Sequence, residues 1–351
     1  MNAPDLLFWC TADAEVGFGH LRRCLHLAHL LRARGLRVAF EGRLDAAARD
    51  TLRRALPDVP VLEPVGPASL AVVDCMFDPQ DPDYFDRDFL RTVAARHQRV
   101  VVITSARRAP PDLPVTAVVG HILEPVAAPN YALYRGLEWA PVPTEAVAGR
   151  DTPREFPDPP RRVLVAFGNW HDPAGLSLGL EALRQTGWAA AVQVLLPPAL
   201  RSHTDSLGAR AAGLALEVVT DVPSVFPFLS AADLLVGSYG NLTFEALAVG
   251  VPTVVVAIKP FMHAYAEVLA RQGAVVNAGP VDQLNPVALA RQLAGLDPTT
   301  RRRLSHTGRT LVDGAGLTRL ADLLARYACP AAHQSGAAPA PAANAPAPTA
   351  A

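Results

Sequence analysis

The chain has 351 residues, half of them hydrophobic, with a net charge of -1 and a pI near 6.8. That is enough apolar material for one large or two medium cores, and the charge balance offers no basic surface for nucleic acid and no charge block for a membrane. Cys10, Cys24, Cys75 and Cys329 are far apart and lack CxxC spacing, which argues against a disulfide framework or a zinc site.

No leader pattern and no run of about 18 apolar residues is present, so the expectation is a cytoplasmic protein without integral membrane contact. Residues 5–10 read as an apolar strand running into Glu15-Val16-Gly17-Phe18-Gly19-His20. Over 20–34, Leu21, Leu25, Ala28 and Leu31 recur at helical spacing, and Gly35 ends the helix. Strands are expected at 36–40, 71–74, 99–104 and 117–120, with helices at 45–56 and 86–97. The stretch 141–160 holds six prolines and few apolar side chains, which suits a linker and excludes a central strand or helix interior.

The pattern then restarts. Strands are expected at 162–167, 191–196, 216–219, 234–237, 253–258 and 274–277. Helices are expected at 175–186, 223–231, 241–249, 262–272, 286–294, 299–306 and 316–327, with Arg301-Arg302-Arg303 as a solvated helix face. Alternating strands and helices imply parallel βαβ sheets. The chain therefore divides into a Rossmann-like domain at 1–140, the linker, a second such domain at 161–329, and an Ala/Pro tail at 330–351 that cannot bury a core.

In open α/β sheets, ligands bind beyond the carboxyl ends of strands, and four strand-to-helix turns carry suitable residues. In the first, Gly17 and Gly19 permit close backbone approach, and His20 sits at a helix start, where a neutral imidazole is favoured and can act as a base. In the second, Gly168 and Asn169 can cradle phosphate with backbone N–H groups. The third, Gly237-Ser238-Tyr239-Gly240-Asn241-Leu242-Thr243-Phe244-Glu245, leads small polar residues into a helix N-terminus suited to an anion. Glu245, one turn in, can accept hydrogen bonds from a ribose diol. In the fourth, Asp74 ends a strand and either faces the ligand or caps a turn. The glycine spacing is not GxGxxG, and no acidic residue is placed for a nicotinamide ribose. Nor is there a GxSxG nucleophile elbow.

Taken together, GFGHLRRCLHLAHLL in the first half and GSYGNLTFEALAVGVPTVVV in the second resemble the GT-B glycosyltransferases. Within them the chain is most similar to the MurG-type transferases and the PseG-type UDP-sugar hydrolases. Gly17, Gly19, His20, Arg23, Leu27 and Ala28 meet a PseG-like GxGHxxRxxxLA pattern, and APNYALYRGLEWAPV resembles the PseG lead into the second domain.

The resemblance implies two Rossmann-like domains facing an interdomain cleft. It makes His20 the catalytic histidine, with Asp74 in the catalytic set. The second domain would bind the UDP of a nucleotide-sugar through Gly168, Asn169, Gly240, Asn241, Leu242 and Thr243. Glu245 would take the ribose, and the base would lie by Asp221 and Val222. No metal or cofactor is implied, and the acceptor is open. The chain departs from the PseG pattern in three places: Asp74-Cys75-Met76 stands for Asp-x-Tyr, Phe261-Met262 for an Asn-Gln pair, and GNWHD for GGSD. Those departures favour transfer to a hydroxyl over hydrolysis. A non-catalytic nucleotide-sugar-binding module is the remaining alternative.

Overall fold

The computed structural model shows two α/β units and describes residues 3–13, 16–60, 66–148, 150, 153–168, 172–220, 222 and 224–329. The expected tail at 330–351 lies outside the described residues.

The first unit comprises β1 (Leu6–Ala12), α1 (Gly19–Arg32), β2 (Val38–Leu44), α2 (Ala46–Ala55), β3 (Leu70–Asp74), α3 (Arg87–Arg96), β4 (Val100–Thr104), β5 (Ala117–Gly120) and β6 (Ala132–Arg135). The second comprises α4 (Glu145–Ala148), β7 (Arg162–Ala166), α5 (Ala174–Thr186), β8 (Ala191–Leu196), α6 (Thr204–Arg210), β9 (Ala215–Thr220), α7 (Phe226–Ala231), β10 (Leu234–Gly237), α8 (Asn241–Val249), β11 (Thr253–Ala257), α9 (Pro260–Arg271), β12 (Val276–Pro280), α10 (Pro286–Ala294) and α11 (Pro298–Leu311). The last helix, α12 (Gly316–Ala328), returns to the first unit.

Each unit is built on a six-stranded parallel sheet, ordered β2-β1-β3-β4-β5-β6 in the first and β12-β11-β10-β7-β8-β9 in the second. The central strands LAVVD and VVVIT are buried at every position, as expected where helices cover both faces of a parallel sheet. One face of the first sheet packs on α1, α2 and α12 through Leu27, Leu31, Leu52, Leu320 and Leu324. Leu90 and Val93 of α3 cover the other.

The sequence division placed α12 with the second half. Its apolar stripe closes over α1 instead, because hydrophobic period marks a face without saying which sheet receives it. Gly316 lets this return happen. A Cβ there would lie 1.9 Å from the carbonyl oxygen of Ala140.

Strand order fixes where ligands can enter. In the first sheet the winding reverses between β1 and β3, and in the second between β7 and β10. Such reversals open a crevice at the carboxyl ends of the two strands. At the second, Gly237 pairs with Ala166, and a Cβ on Gly237 would lie 2.3 Å from the Ala166 carbonyl oxygen, so this approach requires glycine.

The proline-rich segment joins the second unit through arginines. Arg150 donates to the carbonyls of Ala248, Val312 and Arg309, and Arg154 to those of Val249, Ala232, Leu229 and Ser230. Several of these carbonyls end α7, α8 and α11, where helices leave acceptors unsatisfied. Burial pulls the Arg154 guanidinium down to about 10, still charged at neutral pH.

Arg301 corrects the expectation of a solvated arginine run. It is fully buried, donating to Leu296 O at 2.9 Å and to Pro157 O, while Arg302 and Arg303 are exposed. Replacing Arg154 with Met should orphan its carbonyls and destabilise the second unit by about 1–3 kcal/mol. At roughly 2–4 °C per kcal/mol, calorimetry would show the shift; an unchanged melting temperature would contradict the strapping role.

Candidate active site

His20, at the second position of α1, follows the first strand directly. The turn before it is set by Asp13, whose side chain accepts from Val16 N and whose carbonyl accepts from Gly17 N, both at 2.9 Å. Gly17 lies at φ +74°, a left-handed conformation that glycine adopts without strain. Gly19 is the first residue of α1. Helical spacing puts His20, Arg23 and Cys24 on one face of α1, and that face meets Asp74 at the end of β3.

Asp74 has no solvent exposure and is held from three sides. Arg23 grips it with two donors, Nε to Oδ2 and Nη2 to Oδ1. Cys24 Sγ donates to Oδ2 at 3.6 Å. His20 Nδ1 lies 2.7 Å from Oδ1.

Burial pushes the Asp74 carboxyl upward, but the Arg23 charge and the Arg23 and His20 hydrogen bonds outweigh it and hold the group at about 2. Asp74 is therefore ionised at neutral pH and can only accept. A contact of 2.7 Å between its oxygen and Nδ1 requires the proton on Nδ1. Nε2 of His20 then carries the lone pair. Arg23 Nη2 also stands 3.1 Å from His20 Nδ1, but both atoms donate to Oδ1, so this is proximity without a hydrogen bond. The set is a buried carboxylate orienting a neutral imidazole, the arrangement of a general base.

Asp74 thus acts as an ion-pair and imidazole partner, with no capping role. Sequence reasoning had Arg23 only as part of a pattern. Its signal was the His20–Arg23 spacing of three facing a strand-end acid.

A second histidine, His121, went unflagged. It follows β5 immediately and is 4 % exposed. Burial and the Arg23 charge hold it near 3 against the opposing pull of Asp74. Its signal was a histidine directly after the apolar strand AVVG.

In the second unit, Gly168 lies two residues beyond β7, exposed. Asn169 and Asp221 lie outside the described residues, and Val222 is half-buried between β9 and α7. The turn from β10 to α8 is internally braced. Ser238 Oγ donates to Phe167 O, Thr243 Oγ1 donates to Ser238 O, and Thr243 N donates to Gly240 O, each at 3.0 Å. Thr243 is fully buried and its hydroxyl serves the turn. Asn241, Leu242 and Glu245 are half-buried in the first turns of α8.

The leading N–H groups of α8 and its dipole favour an anion. Among the described residues no cluster of His, Cys, Asp and Glu is placed to hold a metal ion, and no helix is long and apolar enough to cross a membrane. Each unit thus presents one half-site at its own switch point.

No family model and no curated protein sequence matches this chain. Among solved structures it is similar to MurG of Acinetobacter baumannii, with a TM-score of 0.65 at 14 % identity over 91 % of this chain and 98 % of that one. A glycosyltransferase from Rickettsia africae ESF-5 matches with a TM-score of 0.58 at 11 % identity, over 93 % and 99 % of the two chains. Anabaena HepE, solved with UDP and glucose, matches with 0.55 at 13 % identity, over 92 % and 99 %. The chain has their fold, the GT-B architecture of two Rossmann-like units.

His121 makes the first unit acid-sensitive in a defined window. Its folded pKa of about 3 lies below the ordinary 6.5, so the unfolded chain binds the proton first. The stability it contributes is complete above pH 6.5 and drains away as pH falls toward 3, by at most about 1.4 kcal/mol per pH unit. Asp74, depressed from 3.8 to about 2, keeps its contribution above pH 3.8. Urea denaturation at pH 7 and pH 4.5 should therefore show a smaller stability loss in His121→Asn than in the parent. An equal loss would contradict this assignment.

Proposed function

We propose that this chain is a glycosyltransferase that breaks the anomeric C–O bond of a nucleotide-sugar, a UDP-sugar in our reading, and transfers the sugar to a hydroxyl acceptor. The observation that carries the proposal is the His20–Asp74 contact with the carboxylate locked by Arg23. It leaves a neutral imidazole with a bare Nε2 at a strand end, in a fold shared with proteins whose titles name them glycosyltransferases. Similarity to HepE, solved with UDP and glucose, supports a uridine donor.

In this reading the second unit binds the donor. The first turn of α8, with Gly240, Asn241, Leu242 and the buried brace Thr243, faces the diphosphate, together with Gly168 and Asn169. Glu245 takes the ribose hydroxyls, and Asp221 and Val222 flank the base. His20 Nε2 removes the proton from the acceptor hydroxyl as its oxygen attacks the anomeric carbon. The carbon–oxygen bond electrons leave with the nucleoside diphosphate. As His20 becomes an imidazolium, the Asp74 carboxylate stabilises it through the existing Nδ1–H bond. The negative charge appearing on the diphosphate meets N–H groups already oriented for it, so little reorganisation is needed. The proposal requires both half-sites to act on one donor.

Removal of His20 is the test. His20→Ala should lower turnover of the UDP-sugar by about 10²-fold or more while calorimetry shows UDP binding unchanged. Turnover equal to the parent would remove His20 from the mechanism. Asp74→Asn should fall comparably, because the amide can present its N–H to Nδ1 and favour the wrong tautomer.

A further inference from the structure

The chain contains 32 lysines and arginines, of which 31 are arginine; Lys259 is its one lysine. Arginine fills exposed sites such as Arg53 and Arg91 and buried ones such as Arg23 and Arg301. At an ordinary exposed position the two residues serve equally well, so a chain this biased should carry arginine there too. A single retained lysine marks a position where arginine does not serve.

That position is the carboxyl edge of the second sheet. β11 ends at Ala257, and Lys259 stands immediately before α9. β11 is the neighbour of β10, with Gly237 opposite Val255, and Gly237 opens the braced turn into α8. Aromatic rings join the two places. Tyr239 of the turn lies 5.5 Å from Tyr265 of α9, and Tyr265 lies 5.5 Å from Phe261, two residues after Lys259. Val254 to Ala257 are buried, and Lys259 is exposed. Its backbone is extended, and its carbonyl accepts from Met262 N at 3.1 Å, which fixes the Cα beside the α8 turn.

We propose that Lys259 contacts the donor, its ε-ammonium binding the diphosphate and neutralising the charge that develops as the anomeric C–O bond breaks. This rests on the nucleotide-sugar reading above and adds a residue to it. The acceptor proton goes to His20, the bond electrons go to the diphosphate oxygen, and Lys259 meets the charge they create. Lysine suits this work because its charge is compact and its stem flexible, with three rotatable donors that can follow an oxygen from bound to departing positions. The planar fork of arginine is tuned to a fixed bidentate partner.

The solitary lysine makes the test direct. Reductive methylation with 13C-formaldehyde labels one ε-amine and the N-terminal amine, and the N-terminal signal is the one that persists in K259R. Titration with UDP should shift the Lys259 resonance saturably, and uridine should leave it in place. K259M should lower kcat by about 10²-fold, and K259R should not restore it, with melting temperatures unchanged in both. A Lys259 signal unmoved by UDP, in a sample that calorimetry shows to bind UDP, would overturn the proposal and spare the glycosyltransferase reading. So would full kcat in K259R. Absence of UDP binding to the unmodified chain would overturn both.

Discussion

The site in the first unit depends on a carboxylate kept ionised without solvent. Burying Asp74 alone would cost several kcal/mol and drive it toward its neutral form. A protonated Asp74 could donate, and the tautomer of His20 would no longer be determined. Arg23 prevents this with two donors on the two carboxylate oxygens. Cys24 adds a thiol. Three consecutive demands follow: Arg23 must be buried, α1 must begin at the end of β1, and β3 must end at its acid. The apolar face of α1, with Leu21, Leu27 and Leu31 in the core, meets the second demand by pressing the helix onto the sheet.

The two units solve different electrostatic problems with the same architecture. At the β1/β3 reversal, a buried anion and a buried cation compensate each other beside a neutral base. At the β7/β10 reversal, no ion pair is needed. Backbone N–H groups and a braced glycine turn prepare a place for a charge that arrives with the ligand. Away from both sites, Arg150, Arg154 and Arg301 satisfy carbonyls at helix ends and in the proline segment. Guanidinium groups with several donors each are suited to that task.

Much of this was legible in the sequence, for physical reasons. Buried parallel strands give continuous apolar runs, so β1, β3, β4 and β10 stand out. β6, half-buried at every position, carries no such run and was not expected. His20 and Asp74 were visible because both sit at strand ends before a turn. What remained hidden was their pairing. Residues 54 apart in sequence meet only once the strand order places β3 beside β1. Arg301 misled because three adjacent charges read as one solvated patch, although helix geometry turns each residue about 100° from the last. His121 was missed because a single polar residue after a strand has no spacing to mark it.

The central claim is that Asp74 fixes the proton of His20 on Nδ1 and leaves Nε2 as the base. Long-range 15N–1H correlation of the imidazole rings at neutral pH reports each nitrogen directly. His20, assigned by its loss in a substituted chain, should show a protonated Nδ1 and an Nε2 with the shift of an unprotonated ring nitrogen. A His20 with its proton on Nε2 would contradict the account, because the atom assigned to take the acceptor proton would already hold one.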